Sequence, residues 1–432
     1  MAEPEEPSGP PRAPTGTRDV LWPESARWEW LVALFARRAR QSGYGLILTP
    51  VLEEARLFRR GVGEGSDVVT KEMYELTDRG GRHLALRPEG TAPVVRAFVQ
   101  HRPPVPFKAW YVTPAFRYER PQAGRYRQHH QLGAEAIGSD DPDLDVEVIA
   151  LAAGFYGELG LAQVELSVNS MGCGGDRAAY LGALRAFLYE HASELCDEHR
   201  ERYGQSPLRV LDCKRAACRA VTENAPRMVD YLDEACAAHF VRVRAGLEAL
   251  GIAHRLEPRL VRGLDYYTRT TFEFASAALE SAQNAVGGGG RYDGLAEAIG
   301  GPPAPGIGFG IGMERLLLAC DAEGCQPAPA PVPDVFVIDL TGGEVARDLA
   351  EELRRAGLSA ERAFDGRSLK AQLRLADRSG ARAAVVVGPA ELASGKVQVK
   401  DLRGERDDRQ LSRSAVVVEL VSDLQAAPGE SP

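Results

Sequence analysis

Four arginines, Arg117, Arg120, Arg125 and Arg127, fall within eleven residues of the stretch T-P-A-F-R-Y-E-R-P-Q-A-G-R-Y-R-Q-H-H-Q-L-G-A-E (113–135). A guanidinium is planar, permanently charged and able to bind two oxygens at once, which suits phosphate or carboxylate. A surface hairpin with solvated charges has the same composition. The segment R-P-E-G-T (87–91) places a carboxylate and a hydroxyl on a turn. Glu89 and Thr91 could grip an amino group there, or cap the helix predicted over 92–100; the local pattern favours the cap. In V-R-G-L-D-Y-Y-T-R-T-T-F-E-F (261–274) a cation, an acid and two phenols meet at a glycine-containing bend. That suits a small polar molecule meeting an anion, or equally an aromatic core cluster with Arg262 paired to Asp265. Four consecutive glycines, Gly287 to Gly290, precede R-Y-D-G-L. They let backbone approach a ligand closely, or form a flexible loop. Finally, G-I-G-F-G-I-G-M-E-R-L-L-L-A (306–319) reads as a glycine-alternating strand entering a helix at about Gly312. Arg315 in the first turn of that helix makes an anion pocket.

The elements that must position these groups follow from periodicity. An apolar, β-prone run over 109–116 and an alternation ending at Gln131 and Glu135 predict two antiparallel strands joined by the basic loop. Residues 24–40 have helical apolar spacing, stopped by Gly43 and Gly45, with a short strand at 46–49. This is a candidate dimer-interface element, or a helix packed on a sheet. Residues 73–78 and 83–86 predict a hairpin around Arg79-Gly80-Gly81, 143–160 a helix and 164–169 a strand. From 172 to 258 the chain is largely helical and carries five of the seven cysteines. It reads as an inserted helical domain. The Pro-rich segment Q-P-A-P-A-P-V-P (326–333) marks a domain boundary. Beyond it, alternating strands and helices predict a compact α/β domain with a largely parallel sheet. Arg367, Lys370, Arg374 and Arg378 recur at three- or four-residue spacing there, a basic helix face open to an RNA backbone or to solvent.

At 432 residues the chain should hold two or three domains, with the 44% apolar content of an ordinary globular protein. The net charge of −9 confines any nucleic-acid contact to local patches. No apolar run approaches a membrane span. The acidic, Pro-rich start is not a signal peptide, which points to the cytoplasm. Residues 1–15 and 426–432 cannot bury a core and read as disordered tails. Seven cysteines, an odd number, argue against a disulfide framework. Cys196, Cys213, Cys218 and Cys236 lie near His199 and His239, but no C-x-x-C pair is present. The pattern favours free thiols over protein-held zinc.

Taken in order, G-T-R-D, Y-E-L-T-D-R-G-G-R, L-R-P-E-G-T-A-P-V-V-R-A, the 113–135 stretch, R-G-L-D-Y-Y, G-G-G-R-Y-D-G-L and G-I-G-F-G-I-G-M-E-R-L resemble the histidyl-tRNA synthetases of the bacterial class II type. The likeness spans about residues 16–420. F-R-x-E is shared by class II synthetases generally, whereas R-G-L-D-Y-Y and G-G-R-Y-D are particular to the histidine enzyme and its relatives. The resemblance implies an α+β class II catalytic core, an antiparallel sheet flanked by helices, in two parts (16–171 and 259–325). A helical insertion (172–258) separates them, and an α/β anticodon-binding domain (334–425) follows the linker. It implies a cytoplasmic homodimer that joins L-histidine to tRNA(His) at the cost of ATP, through histidyl-adenylate.

On the same footing, Arg117 corresponds to the arginine on the α-phosphate and the amino acid's carboxylate, and Arg262 to the family's own arginine on the far side of that phosphate. Arg315 corresponds to the γ-phosphate arginine, and Glu119 and Arg125 to residues around the adenine and triphosphate. Glu89, Gly90 and Thr91 match the turn that binds the amino group. Gln131, Glu135, Tyr266 and Tyr267 match the histidine pocket. Gln122 lies where the family meets the acceptor end of tRNA. Mg2+ is implied with ATP rather than on a protein cage. Two departures stand out: His129-His130 where Phe-His is more familiar, and an incomplete cysteine pattern in the insertion. The alternative is a non-catalytic, histidine-sensing regulatory relative. Such relatives lose the special arginine and the anticodon domain, and this chain keeps Arg262, Arg315 and a full C-terminal part.

Overall fold

The computed structural model describes residues 9–63, 66–279, 284–325, 332–404 and 406–425. The chain forms two compact units, 1–328 and 329–432. The segments read from sequence as tails (1–8 of the first, all of 426–432) and most of the linker (326–331) lie outside the described residues.

In the first unit, α1 (Glu24–Gln41) buries Leu31, Leu34, Phe35 and Ala39 along one stripe. It ends where Gly43 turns to φ +81, a conformation that favours glycine. The short strand β1 (Gly45–Leu46) follows. Then β2 (Leu52–Glu54), α2 (Ala55–Val62), β3 (Tyr74–Thr77) and β4 (His83–Leu86) build a small sheet in the order β2-β4-β3. The expected β3/β4 hairpin is present; its turn is closed by Asp78, whose Oδ1 accepts from the backbone N–H of Gly80 and of Arg82. The chain continues through α3 (Thr91–His101), β5 (Phe107–Phe116), β6 (Gln128–Ile137), α4 (Pro142–Glu158) and β7 (Val164–Ser170). A helical region holds α5 (Gly174–Glu190), α6 (Asp197–Arg202), α7 (Leu208–Leu211), α8 (Ala216–Thr222) and α9 (Glu234–Ala249). The unit closes with β8 (Arg255–Leu256), β9 (Thr268–Ser276), β10 (Ala285–Arg291), α10 (Leu295–Ala298), β11 (Gly306–Gly312) and α11 (Met313–Glu323).

Eight strands form the main sheet in the order β1-β5-β6-β11-β10-β9-β7-β8. All pairings are antiparallel except those of the two edge strands, β1 and β8. Alternation along β5 sends Trp110 to one face and Ala109 and Tyr111 to the other. The first face packs on α1, α4, α9 and α11, with Phe35 edge-on to Trp110, Phe155 and Phe309. The second packs on α2, α3 and α10 and carries Tyr266, Tyr267 and Tyr292. Residues of the helical region from Tyr180 to Met228 have a small core of their own, whereas Phe240, Val243 and Leu247 of α9 join the main core beside α4.

The second unit contains β12 (Val335–Asp339), α12 (Glu344–Arg355), β13 (Ala360–Arg362), α13 (Leu369–Ser379), β14 (Ala383–Val387), α14 (Pro389–Ser394), β15 (Lys396–Asp401), β16 (Arg409–Ser412) and α15 (Val416–Gln425). The sheet order is β13-β12-β14-β15-β16. Only β13 and β14 run parallel to β12; β15 and β16 are antiparallel, so the expectation of a largely parallel sheet is corrected. The reason is connection length. A parallel crossover needs about a dozen residues or more, and the links before β15 and β16 are shorter than that.

Candidate active site

The basic loop hangs between β5 and β6, whose register pairs Thr113 with Gln131 and Phe116 with Gln128. A tight bridge between Gln122 and Arg125 folds it, with Gly124 at φ +69. A Cβ on Gly124 would also meet Leu318 at 2.8 Å. The four arginines divide. Arg120 is exposed. Arg127 lies 3.9 Å from the centre of the Tyr118 ring and donates to the Glu119 carbonyl. Arg117 donates through Nε to the Pro88 carbonyl at 2.9 Å, and Arg125 is paired with Glu119. Both line a cavity of about 330 Å3.

Arg262 and Arg315 enter the same cavity. Arg315, in the first turn of α11, is anchored by the Ala285 carbonyl at 2.9 Å. Burial, then the charges of Arg125 and Arg117, lower its pKa below the usual arginine value. Arg262 does not pair with Asp265; its Nη1 donates to Glu273 on β9 at 2.8 Å. Asp265 is turned instead toward Arg177 at 3.9 Å. Burial opposes the Arg262 charge, but Tyr267, Glu273 and Tyr266 outweigh it and raise its pKa. Four guanidinium groups and four carboxylates, Glu119, Asp212, Glu273 and Glu314, thus line the cavity; Arg125 and Arg262 are paired with Glu119 and Glu273, whereas Arg117 and Arg315 are anchored by backbone carbonyls. A guanidinium held by a carbonyl rather than a carboxylate keeps its charge for an anion, so Arg117 and Arg315 are the groups that attract one. His129 also lines it, its pKa pushed down to about 3 by burial and then by Arg117, His130, Arg315 and Arg125. It is neutral at physiological pH.

Gly287, Gly288, Gly310 and Gly312 line the same cavity. The four-glycine run is strand β10, paired on both sides, and not a flexible loop. A Cβ on Gly288 would lie 2.8 Å from Arg262 Nη1, and one on Gly290 would lie 2.8 Å from the Tyr267 ring. Gly289 is tighter still, with the Gly308 carbonyl at 1.9 Å. The glycines make room for the site's own side chains and for the neighbouring strands.

Beside the cavity a second polar group is buried against the sheet. Glu89 does cap α3, accepting from the backbone N–H of Thr91 (2.6 Å) and of Ala92 (2.9 Å). That leaves the Thr91 hydroxyl free of capping, and it donates to Glu135 Oε1 at 2.8 Å. Glu135 is fully buried and also accepts from Tyr111 (3.1 Å) and Tyr292 (2.6 Å). Burial pushes its carboxyl up to about 8 in spite of these donors. The rings of Tyr266 and Tyr267 lie 4.7 Å apart, tilted by 55°, and Tyr266 meets Tyr292 edge-on. A Cβ on Gly308 would fall 1.6 Å from Glu135 Oε2, so only glycine fits opposite the carboxyl. Gln131 lines the cavity, on the same strand as Glu135. Gln122 is exposed on the loop.

The structure therefore brings together Arg117, Glu119, Arg125, Gln131, Arg262 and Arg315, and next to them Glu89, Gly90, Thr91, Glu135, Tyr266 and Tyr267. Sequence reasoning missed Tyr111, Glu273 and Asp212 and gave no role to Tyr292. Tyr292 sits inside the G-G-R-Y-D motif, which was a usable signal. Tyr111 looked like any aromatic on a strand.

A family profile described as histidyl-tRNA synthetase matches residues 16–316. The chain belongs to the histidyl-tRNA synthetase family. A second profile, the anticodon binding domain, matches residues 334–423. The enzyme is 49% identical over 418 residues to a protein of Desulforudis audaxviator named histidine–tRNA ligase, covering 95% of this chain and 99% of that one. It is 51% identical over 392 residues to one of the same name from Anaeromyxobacter dehalogenans, covering 90% and 94%. The crystal structure of apo S. aureus histidyl-tRNA synthetase superposes with a TM-score of 0.79 at 34% identity, covering 95% of this chain and 99% of that one. The enzyme is thus a class II aminoacyl-tRNA synthetase with the sheet-and-helix core and anticodon-binding domain of its family. Among the described residues no helix is long and apolar enough to cross a membrane.

Proposed function

We propose that this enzyme joins L-histidine to tRNA(His) in two steps, activating histidine with ATP in the arginine-lined cavity and then passing it to the 3′-terminal ribose. The observation that carries this reading is the contact of two unlike sites: a cavity lined by four arginines and, beside it, a buried carboxyl ringed by hydroxyls. In the first step the histidine carboxylate attacks the α-phosphorus and pyrophosphate leaves. Both reactants are anions, so cations must hold them together and offset charge on the phosphoryl oxygens. Arg117 and Arg262 flank the α-phosphate, Arg315 meets the γ-phosphate, and Glu119 and Arg125 hold the nucleotide. Mg2+ arrives on the ATP phosphates, and EDTA should stop the reaction. Glu89, Gly90 and Thr91 take the amino group. Gln131, Glu135, Tyr266 and Tyr267 enclose the imidazole. An apolar amino acid of similar size brings no N–H to Glu135 and forgoes the charge-assisted bond that the imidazole makes, which rejects it.

The test is exchange of labelled pyrophosphate into ATP with each amino acid in turn. Exchange with histidine alone is the expected result. A folded enzyme that shows none would favour a histidine-sensing subunit instead.

Glu135 gives this reading a pH signature. Its carboxyl, pushed up to about 8, is mostly protonated at pH 7 in the free enzyme. An imidazole N–H is best met by the ionised form, so binding releases that proton. Histidine affinity then rises from pH 7 to pH 8, by at most about tenfold per unit, and levels off above 8. Glu135→Gln cannot ionise and loses the slope. Calorimetry in buffers of different ionisation enthalpy reads the proton directly. A pH-independent wild type would mean that Glu135 stays protonated and donates to the ring.

The enzyme further reads as a cytoplasmic homodimer. Leu46 on edge strand β1, with Leu48 beyond it, is exposed at 54% and 78%, unusual for leucines beside a sheet edge that invites pairing. Sedimentation equilibrium at the mass of one chain would exclude the dimer. The proposed domain division is 16–171 and 259–325 for catalysis, 172–258 for the insertion, whose α9 and β8 pack with the catalytic core, and 334–425 for the anticodon. Gln122 reaches the acceptor end of tRNA. Arg367, Lys370, Arg374 and Arg378, all exposed along α13 and its approach, supply phosphate contacts in the C-terminal unit.

A further inference from the structure

Three short segments of the helical region converge on one point. Cys196 stands at the N-cap of α6 and His199 one turn into it; Cys213 follows α7, and Cys218 lies inside α8. The potential ligand atoms of these four residues all lie within 4.8 Å of one another. Nδ1 of His199 is 3.2 Å from Cys196 Sγ and 3.7 Å from Cys218 Sγ. Tetrahedral zinc, with bonds of about 2.0 Å to nitrogen and 2.3 Å to sulfur, sets its ligand atoms about 3.5–3.8 Å apart, within a few tenths of an ångström of these distances. The spacing, Cys-x2-His, thirteen residues, then Cys-x4-Cys, supplies two short ligand pairs from separate turns, as structural zinc sites do. No Cys-x2-Cys pair announces this site in the sequence, so the expectation of free thiols is replaced here by a candidate site assembled from three segments.

We propose that Cys196, His199, Cys213 and Cys218 hold a structural zinc ion. The local fold has need of one. Helices α6, α7 and α8 have six, four and seven residues, too short to persist unaided. Their shared core is small, and the buried Cys218 is part of it. A metal ion cross-links such pieces as it does in small zinc domains. Outer contacts fit as well. The backbone N–H of Cys196 donates to Cys218 Sγ at 3.4 Å. Arg215 lies against the Cys196 sulfur and is paired with Glu198 at 3.2 Å. Its guanidinium offsets the negative charge that three thiolates leave after zinc binds.

A second cluster, Cys173, Asp176, Asp233 and Cys236, is equally compact but already employed. Asp176 accepts from the backbone N–H of Cys173 and of Asp233, and Asp233 from that of Cys236. These carboxylates cap α5 and α9, so this cluster serves as the control.

The ion would do more than staple the insertion. Asp212, next to the ligand Cys213, lines the cavity with Arg262 and Arg315. Zinc at Cys213 fixes the turn that overhangs the site of activation.

The test is metal analysis of the full-length enzyme purified in reducing buffer without chelators. We expect about one zinc per chain, falling at least tenfold in Cys213→Ser and in Cys218→Ser and unchanged in Cys173→Ser. Because ligand variants can misfold, Co2+ exchanged into the wild type gives a second readout. Thiolate-to-cobalt charge transfer and the intense visible bands of a tetrahedral site are expected. Wild-type enzyme with neither bound zinc nor these bands would overturn the proposal. So would metal loss in Cys173→Ser with retention in the other two variants, or a disulfide among Cys196, Cys213 and Cys218 in freshly purified protein.

Discussion

Arg262→Ala should lower histidine-dependent pyrophosphate exchange by about 10²–10³-fold, the usual cost of removing one preorganised group from developing charge. Arg262 is held by Glu273 at 2.8 Å and sits in space that Gly288 leaves open. It is therefore positioned before substrate arrives. If it acts on charge that grows during transfer, kcat falls more than the KM for either substrate. Arg262→Lys restores the charge without the two-pronged geometry and should recover only part of the rate. The side chain is partly exposed, at 22%, so its loss leaves no large void and the thermal midpoint should stay near wild type. Exchange that survived the substitution would remove Arg262 from the mechanism while leaving the enzyme's activity intact.

The largest effect on stability is expected at Arg291, on the same strand as the glycine run. Its side chain is fully buried. Nε donates to Asp145 at 2.8 Å, and Nη2 reaches the same carboxylate at 2.5 Å. Nη1 donates to the Ser139 carbonyl (3.0 Å) and to Asp293 (3.2 Å), and Nη2 also donates to the Asp141 carbonyl (3.0 Å). Arg291→Ala leaves Asp145 and the two carbonyls buried without their donor. Breaking such a pair from one side costs about 3–5 kcal/mol. His239, 3.7 Å from Asp145, has its pKa pushed down to about 4 by burial and then by Arg291 and Arg269; losing Arg291 relieves only part of this, because the burial remains. Denaturant unfolding followed by the tryptophans of the first unit reads the loss. Removing both partners, as in Arg291→Met with Asp145→Leu, should recover most of it. A single variant as stable as wild type would show that the network is compensated elsewhere.

Much of this is legible in the sequence. The strand pair around the basic loop followed from alternation interrupted by Pro-Gln-Ala-Gly, and Arg315 at a helix start from glycine alternation giving way to an apolar run. What escaped depended on contacts distant in the chain. Arg262 and Asp265 are three apart, a spacing that pairs side chains on a helix, but the segment is a bend and β9 supplies Glu273 instead. Glu89 and Thr91 were weighed as cap or ligand; Glu89 caps α3, and the cap itself frees the Thr91 hydroxyl for Glu135. The phenols of Tyr111 and Tyr292 meet on one carboxyl only because β5 lies beside β6 and the segment after β10 turns back toward it. No local pattern encodes that meeting. The antiparallel end of the C-terminal sheet is encoded in the short connections before β15 and β16, not in the alternation of strands and helices.

The glycine run of β10 has a thermodynamic consequence. Gly287 to Gly290 bring no side chains to the middle of the sheet, and ordering four glycines costs about 2–4 kcal/mol more than ordering four alanines. The cohesion of that strand comes from its two hydrogen-bonded neighbours and from Tyr156, Arg262 and Tyr267 leaning over it. A nucleotide resting on this surface would supply the dispersion contacts that side chains would otherwise make. Substrate then becomes a temporary part of the protein's interior, and the centre of the sheet is completed each time the cavity fills.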